Sequence, residues 1–335
     1  VELATLLKKP FLKGFINANL RGFLRDKETL QQSLQQQALT IQTSHEDWMV
    51  QQWRQQFGKK KTAEICHANN QPPTISLLLN PAFDGQALKA DLKQQEFSIQ
   101  ENAPNSITLD NPTGLFNTTW AQQGAFLVQD LAFQKIPGLL QSIKKTKVLD
   151  ACAAPGGKLF HLEWSFSSEI EQLVALEPSE KRLQRLRANK DTFKSKAKLY
   201  QMDARNITLE EQFDLAVVDA PCSGTGTLRK HPEIKWSRQK SDFIKNQEIQ
   251  LAILEGVSKN VTPGGHLLYV TCSIEKEENQ DVVEIFLKQR HEEFQLIPFS
   301  ADLLSPEERT QEGYYQCFPS QRTMGAFAAL LQKKK

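Results

Sequence analysis

Cys222 and Cys272 are the residues of this chain whose setting is best suited to chemistry. Cys222 stands in Asp219-Ala220-Pro221-Cys222-Ser223-Gly224-Thr225-Gly226, directly after an apolar run over 213–218. Cys272 stands in Thr271-Cys272-Ser273, at the end of a second run over 264–270. Each reads as the carboxyl end of a buried strand, where open α/β sheets gather their ligands. Two thiols brought to one rim beside Asp219 describe covalent catalysis by a thiolate, with the second thiol assisting.

Three further strand ends carry a second constellation. Residues 147–150 read as a strand that runs into Ala151-Cys152-Ala153-Ala154-Pro155-Gly156-Gly157-Lys158. Small residues let a ligand approach the backbone, and a helix starting there offers free N–H groups. The pattern is neither the dinucleotide G-x-G-x-x-G nor a P-loop. Residues 173–177 end in Glu177, whose carboxylate can accept hydrogen bonds from both ribose hydroxyls of a nucleoside. The strand over 197–200 leads to Asp203, placed for an adenine amino group. A nucleoside without phosphates fits this set, and S-adenosylmethionine is the expected cofactor.

The elements that must position these residues follow from alternation. From about residue 117 strands and helices alternate, with helices over 179–190, 243–259 and 280–288 and late strands over 266–271 and 324–331. Alternation of this kind implies a parallel sheet with right-handed crossovers. Ahead of it, strands over 74–80, 97–99 and 106–109 with a helix over 87–95 form a smaller α/β unit. That unit is expected either to offer a strand surface to single-stranded RNA or simply to pack on the larger one. Residues 1–65 are Gln-rich and helical in pattern, with Leu20, Phe23 and Leu24 on one face.

Composition narrows the class. The chain has 335 residues and a formal net charge of +2, weak on its own for nucleic-acid binding. Locally, Arg229, Lys230, His231, Lys235, Arg238 and Lys240 cluster after the Cys222 turn, and phosphate contact is expected there. A second run, Lys181 to Lys190, reads as a solvated helix face. Five cysteines, odd in number and dispersed, do not form a disulfide framework; they point to a reduced, cytoplasmic setting. No spacing indicates a metal, and no run is long enough for a membrane span. Val1 in place of Met is expected of part of a longer chain, and Lys333-Lys334-Lys335 reads as a disordered basic tail.

With these residues in view, the chain resembles the RNA cytosine-5 methyltransferases of the Sun/Fmu superfamily, nearest the branch of bacterial 16S ribosomal RNA methyltransferase B. The likeness is carried by Leu149-Asp150-Ala151-Cys152-Ala153-Ala154-Pro155-Gly156-Gly157-Lys158, Asp219-Ala220-Pro221-Cys222-Ser223-Gly224-Thr225-Gly226 and Thr271-Cys272-Ser273. His231-Pro232-Glu233-Ile234-Lys235-Trp236 and Glu277-Glu278-Asn279 add to it. The resemblance implies a Rossmann-like class I methyltransferase domain over 114–335, with a mostly parallel seven-stranded sheet. It implies a small helical plus α/β RNA-recognition domain over 36–113, and over 1–35 the end of a NusB-like domain most of which lies before Val1.

It further implies that Cys152, Ala153, Ala154, Pro155, Gly156, Gly157, Lys158, Glu177, Asp203 and Asp219 hold S-adenosylmethionine. Cys272 is then the nucleophile, Cys222 assists product release, and Asp219 orients the base. Lys158 or Arg229 is expected to supply positive charge to Cys272. DNA cytosine-5 methyltransferases use a Pro-Cys nucleophile that Pro221-Cys222 matches; Thr271-Cys272-Ser273 favours the RNA assignment. The expected partner is 16S rRNA, free or in an early small-subunit particle, met by a monomer without metal or membrane. The alternatives are a cytosine in tRNA or large-subunit rRNA, a DNA or small-molecule substrate, and a non-catalytic RNA-binding assembly factor.

Overall fold

The computed structural model describes residues 1–335. The chain divides into two compact units, residues 1–67 and 68–335. The first is helical. Its longest helix, Leu12–Gln35, has no buried residue, so the apolar face of Leu20, Phe23 and Leu24 is exposed. The helix Asp47–Asn69 bends at Gly58, whose φ is 77°. It buries Met49, Val50 and Trp53.

The second unit holds two sheets. The smaller is built from β1 (Ile75–Leu79), β2 (Ile99–Ala103), β3 (Ser106–Leu109) and β4 (Phe126–Val128), in the order β2-β3-β1-β4. The expected strand over 97–99 is displaced. Glu96 takes φ 65° and Phe97 N–H closes back on Leu92 O, at 3.0 Å. The helix therefore unwinds through Phe97, and the strand starts only at Ile99. Of the two expectations for this unit, the burial of its central strands fits packing on the larger one. β3 is buried along its whole length and β1 from Ser76 onward, because apolar side chains cover one face and Leu78 on the other joins the core of the larger sheet. β2, at one edge, is the most open strand.

The larger sheet contains β5 (Lys147–Asp150), β6 (Gln172–Leu176), β7 (Lys198–Tyr200), β8 (Phe213–Asp219), β9 (Val261–Thr271), β10 (Phe294–Ile297), β11 (Tyr315–Cys317) and β12 (Ala326–Lys333). Their order is β10-β12-β9-β8-β5-β6-β7, with short β11 added on β12. An eighth strand thus joins the seven expected. β5 to β9 pair in parallel and β10 to β12 antiparallel. β8, Phe-Asp-Leu-Ala-Val-Val-Asp, is buried from Phe213 to Val218, as a central parallel strand covered on both faces must be. Two apolar clusters line the two faces.

The basic tail is corrected too. Lys333 ends β12, and its Nζ donates to Ser258 O and Val261 O at 3.1 and 3.0 Å. No helix is long and apolar enough to cross a membrane. No group of three or more His, Cys, Asp or Glu is placed to hold a metal.

Candidate active site

β5 ends at Asp150, and the chain must then reverse into the helix Gly157–Ser165 within six residues. Ala151 and Ala153 N–H groups bond the neighbouring strands at Val217 O and Leu176 O. Gly156 adopts φ 112°, and a Cβ there would run into the Phe160 ring. From outside, Arg182 and Asn189 donate to the Ala154 and Pro155 carbonyls at 2.7 and 2.8 Å. Arg182 is thus part of the loop's support, where the sequence reads as a solvated face.

A cleft of about 370 Å³ opens over this turn. Cys152, Ala154, Glu177, Asp203, Asp219, Cys222 and Cys272 line it. Ala153, Pro155, Gly156 and Gly157 shape the turn without lining the cleft, and Lys158 meets it through Asp219, at 2.6 Å. Glu177 accepts Ser179 N–H at 2.9 Å with one oxygen, while the other has no hydrogen bond and faces Arg182 at 3.3 Å. Asp203 is clamped by Arg205, which holds its carboxyl below the usual range. Asp150 lies fully buried beneath. One of its oxygens takes Cys152 N–H at 3.3 Å and the other has no partner. Burial, with Asp219 nearby, pushes the Asp150 carboxyl up to about 7. Burial and the same carboxylates raise the Cys152 thiol, leaving it unreactive. An acid-lined cleft with a small-residue floor, and a Glu177 oxygen that accepts no hydrogen bond, fits an uncharged nucleoside carrying a cationic group.

At the cleft's rim the Cys222 and Cys272 Sγ atoms are 3.1 Å apart. A hydrogen bond from Cys222 lowers the Cys272 thiol, and Lys158 acts in the same direction against burial. The same contact, with burial, raises Cys222 well above the ordinary thiol value. The pair is therefore asymmetric: Cys272 is the readier thiolate. Lys158 is the cation that serves it. Arg229 is spent on backbone carbonyls, at Pro72, Ser320 and Gln321, which corrects its expected place beside Cys272. Three of the six residues of the expected phosphate patch are engaged in the same way. Lys235 is buried against Asn70 and Arg238 bonds Ser223 O at 3.0 Å. These cations knit loops together.

Sequence reasoning did not assign roles to the residues that hold the two thiol turns. Glu278 accepts from Ser223 N–H and Asn246 Nδ2, each at 2.7 Å, and from the Ser223 hydroxyl. Asn279 takes the Thr271 hydroxyl at 2.5 Å and donates to Ser273 O at 3.0 Å. Gly226 N–H bonds Cys272 O at 3.0 Å. The available signal was the acidic-amide run Glu277-Glu278-Asn279 a few residues past Cys272; both Glu278 and Asn279 are fully buried, which charge alone would not predict.

Comparison with known proteins agrees with this geometry. Residues 138–332 match the family model described as 16S rRNA methyltransferase RsmB/F, and residues 45–115 one described as an RsmF/B-like ferredoxin-like domain. The chain is similar to ribosomal RNA small subunit methyltransferase B of Erwinia tasmaniensis, at 34% identity over 91% of this chain and 71% of that protein. It is 32% identical to the protein of the same name from Proteus mirabilis, over 100% of this chain and 76% of that one. Among solved structures, PH0851 superposes with a TM-score of 0.80 at 28% identity, covering 89% of this chain and 67% of that one. The structure of NSun6 from Pyrococcus horikoshii with SFG shares the fold, with a TM-score of 0.76 at 18% identity, over 87% of this chain and 98% of that one.

Proposed function

This chain belongs to the 16S rRNA methyltransferase RsmB/F family, and from that premise we propose how its own residues carry out the reaction. It is an RNA methyltransferase that uses S-adenosylmethionine to methylate C5 of a cytosine in 16S rRNA. The thiol pair carries the mechanistic reading: two sulfurs 3.1 Å apart at the mouth of the cofactor cleft.

Cytosine C5 is a poor nucleophile. Addition of the Cys272 thiolate at C6 removes the ring's aromaticity and makes C5 enamine-like. When bound, S-adenosylmethionine supplies an electrophilic methyl group. Glu177 is placed for its ribose, Asp203 for its adenine, and the backbone of 152–158 for its remaining contacts. Cys222 donates a hydrogen bond to Cys272 before attack. After methyl transfer, Cys222, having given its own proton to solvent once Cys272 is bonded to C6, takes the C5 proton; the C–H electron pair restores the C5–C6 double bond and the C6–S bond breaks, releasing Cys272 as thiolate. Asp219, held by Lys158, orients the base through its amino edge.

Extrusion of the cytosine from its stack is required, since C6 is otherwise inaccessible. Free 16S rRNA or an early small-subunit particle is therefore the favoured substrate form. Action as a monomer is part of the same reading, and the free thiols support a cytoplasmic setting. Residues 1–35 and 36–113 are assigned to RNA docking, the latter through the open edge at β2.

Mass mapping of 5-methylcytosine in 16S rRNA, with and without this protein, tests the substrate. One new modified cytosine is expected. Its absence on 16S rRNA with modification of tRNA would move the assignment to another RNA.

A further inference from the structure

Two adjacent residues, Glu278 and Asn279, each hold one of the two thiol turns. Asn279 brackets Cys272 from both sides, through the Thr271 hydroxyl and the Ser273 carbonyl. Glu278 reaches across to the residue after Cys222, taking both the Ser223 N–H and the Ser223 hydroxyl. Its own peptide is tied to β9, where Tyr269 OH donates to Glu278 O at 2.6 Å. Asn246, from the helix Lys240–Ser258, completes the carboxylate's partners. The Cys222 turn and the Cys272 turn are otherwise joined directly by Gly226 N–H to Cys272 O, by Ile274 N–H to the Thr225 hydroxyl, and by hydroxyl contacts at Ser273.

A fully buried carboxylate beside a reacting thiolate is an unfavourable choice on charge grounds alone, since like charges oppose one another most strongly away from water. Its retention needs a geometric reason. Resting on the mechanistic reading above, we propose that Glu278 is the positioning residue of the thiol pair, latching the Cys222 turn to the Cys272 turn so that the two sulfurs stay in contact. A carboxylate suits this role because it accepts several hydrogen bonds at once and donates none. The latch has an electrostatic consequence: burial pushes the Glu278 carboxyl up while hydrogen bonds from Ser223 and Asn246 favour its ionised form, and once ionised it opposes thiolate formation at both cysteines. The other titratable groups facing the pair are Asp219 and Lys158 from the cofactor side and Tyr269 from the sheet.

Full-length protein carrying Glu278→Gln or Glu278→Ala tests this with two readouts. The first is the rate of iodoacetamide alkylation of Cys272 against pH, without RNA. Gln keeps an acceptor for Ser223 N–H but removes the charge, so its acid limb is expected at lower pH than in the parent. The second is methyl transfer. Glu278→Ala is expected to lower kcat by about 10- to 100-fold, as loss of reacting-group alignment does, with KM for S-adenosylmethionine within about twofold. An unshifted alkylation profile in Glu278→Gln removes the electrostatic consequence, and parental kcat in Glu278→Ala overturns the latch. If Glu278→Ala does not fold, Glu278→Asp decides: its carboxylate keeps the charge but falls short of Ser223, so the hydrogen bond from Cys222 to Cys272 is loosened and the acid limb of Cys272 alkylation is expected at higher pH, an unshifted limb overturning the latch. If the parent protein methylates no RNA, the function falls while the Glu278→Asp alkylation profile still judges the latch.

Discussion

Cys222 and Cys272 are 50 positions apart in the chain and their sulfurs are 3.1 Å apart in space. The contact arises because β8 and β9 are parallel neighbours, with Asp219 level with Val270. Both thiol turns therefore leave the sheet at the same height. Replacing either sulfur separates their roles. Cys272→Ala is expected to lower methyl transfer by roughly 10³-fold or more and to form no adduct with RNA. Cys222→Ala is expected to accumulate a covalent protein–RNA species, seen as a retarded band on a denaturing gel. A stable adduct in Cys272→Ala would reverse the assignment.

Lys158 is the cation that favours the Cys272 thiolate. Removing a positive charge makes the thiolate harder to form, so Lys158→Met is expected to move the acid limb of Cys272 alkylation to higher pH. This shift is opposite in sign to that of Glu278→Gln. Measuring both variants by the same alkylation assay checks the electrostatic reading; a shift of Lys158→Met to lower pH would contradict it.

Asp150 ties stability to pH. Its carboxyl is raised from 3.8 to about 7 by burial, so the folded state holds the proton more tightly than the unfolded chain. The favourable contribution is fully present below pH 4 and is lost as pH rises to about 7. The loss amounts to at most about 4 kcal/mol. Asp150→Asn keeps an acceptor for Cys152 N–H and cannot ionise. Its urea-unfolding free energy, relative to the parent's, is expected to grow more favourable between pH 5 and pH 8. A constant difference across that range would refute the buried-carboxyl account.

Gly226 occupies a place where the backbone admits no side chain. A Cβ there would meet Cys272 O at 2.6 Å and Gly325 O at 2.7 Å. Gly226→Ala is expected to cost about 1–3 kcal/mol of stability and to lower kcat by roughly 10²-fold by displacing Cys272. Thermal melting and steady-state methylation check the two effects. Parental turnover would show that the position of the Cys272 carbonyl does not matter.

Glu177→Gln addresses the cofactor. A buried charged acceptor is worth about 1.5–3 kcal/mol, so its affinity for S-adenosylmethionine by calorimetry is expected to fall by about 10- to 100-fold. Unchanged affinity would remove Glu177 from the ribose.

What was legible in the sequence was everything written as local pattern. The alternation of apolar strands and amphipathic helices from about residue 117 specified the parallel sheet, because burial on both faces demands continuous apolar runs such as 213–218. The strand-end positions of Asp150, Glu177, Asp219 and Cys272 followed from the same runs, and chain polarity put them at one edge. Tertiary structure alone decided what depends on contacts between distant segments. Arg229 and Arg182 are indistinguishable in sequence from solvent-facing cations; packing turned them toward backbone carbonyls at 72, 320 and 321 and at 154. The unit over 74–109 reads in sequence equally as a strand surface for RNA or as a packing module; β3 is buried with Ile107 and Leu109 in the small sheet's own core. The sulfur contact and the Glu278–Ser223 link join loops separated by 50 and 55 positions, and no periodicity encodes such a pairing. It exists only once the register of β8 against β9 is set, because burial then requires each polar group to find its partners among the loops brought together there.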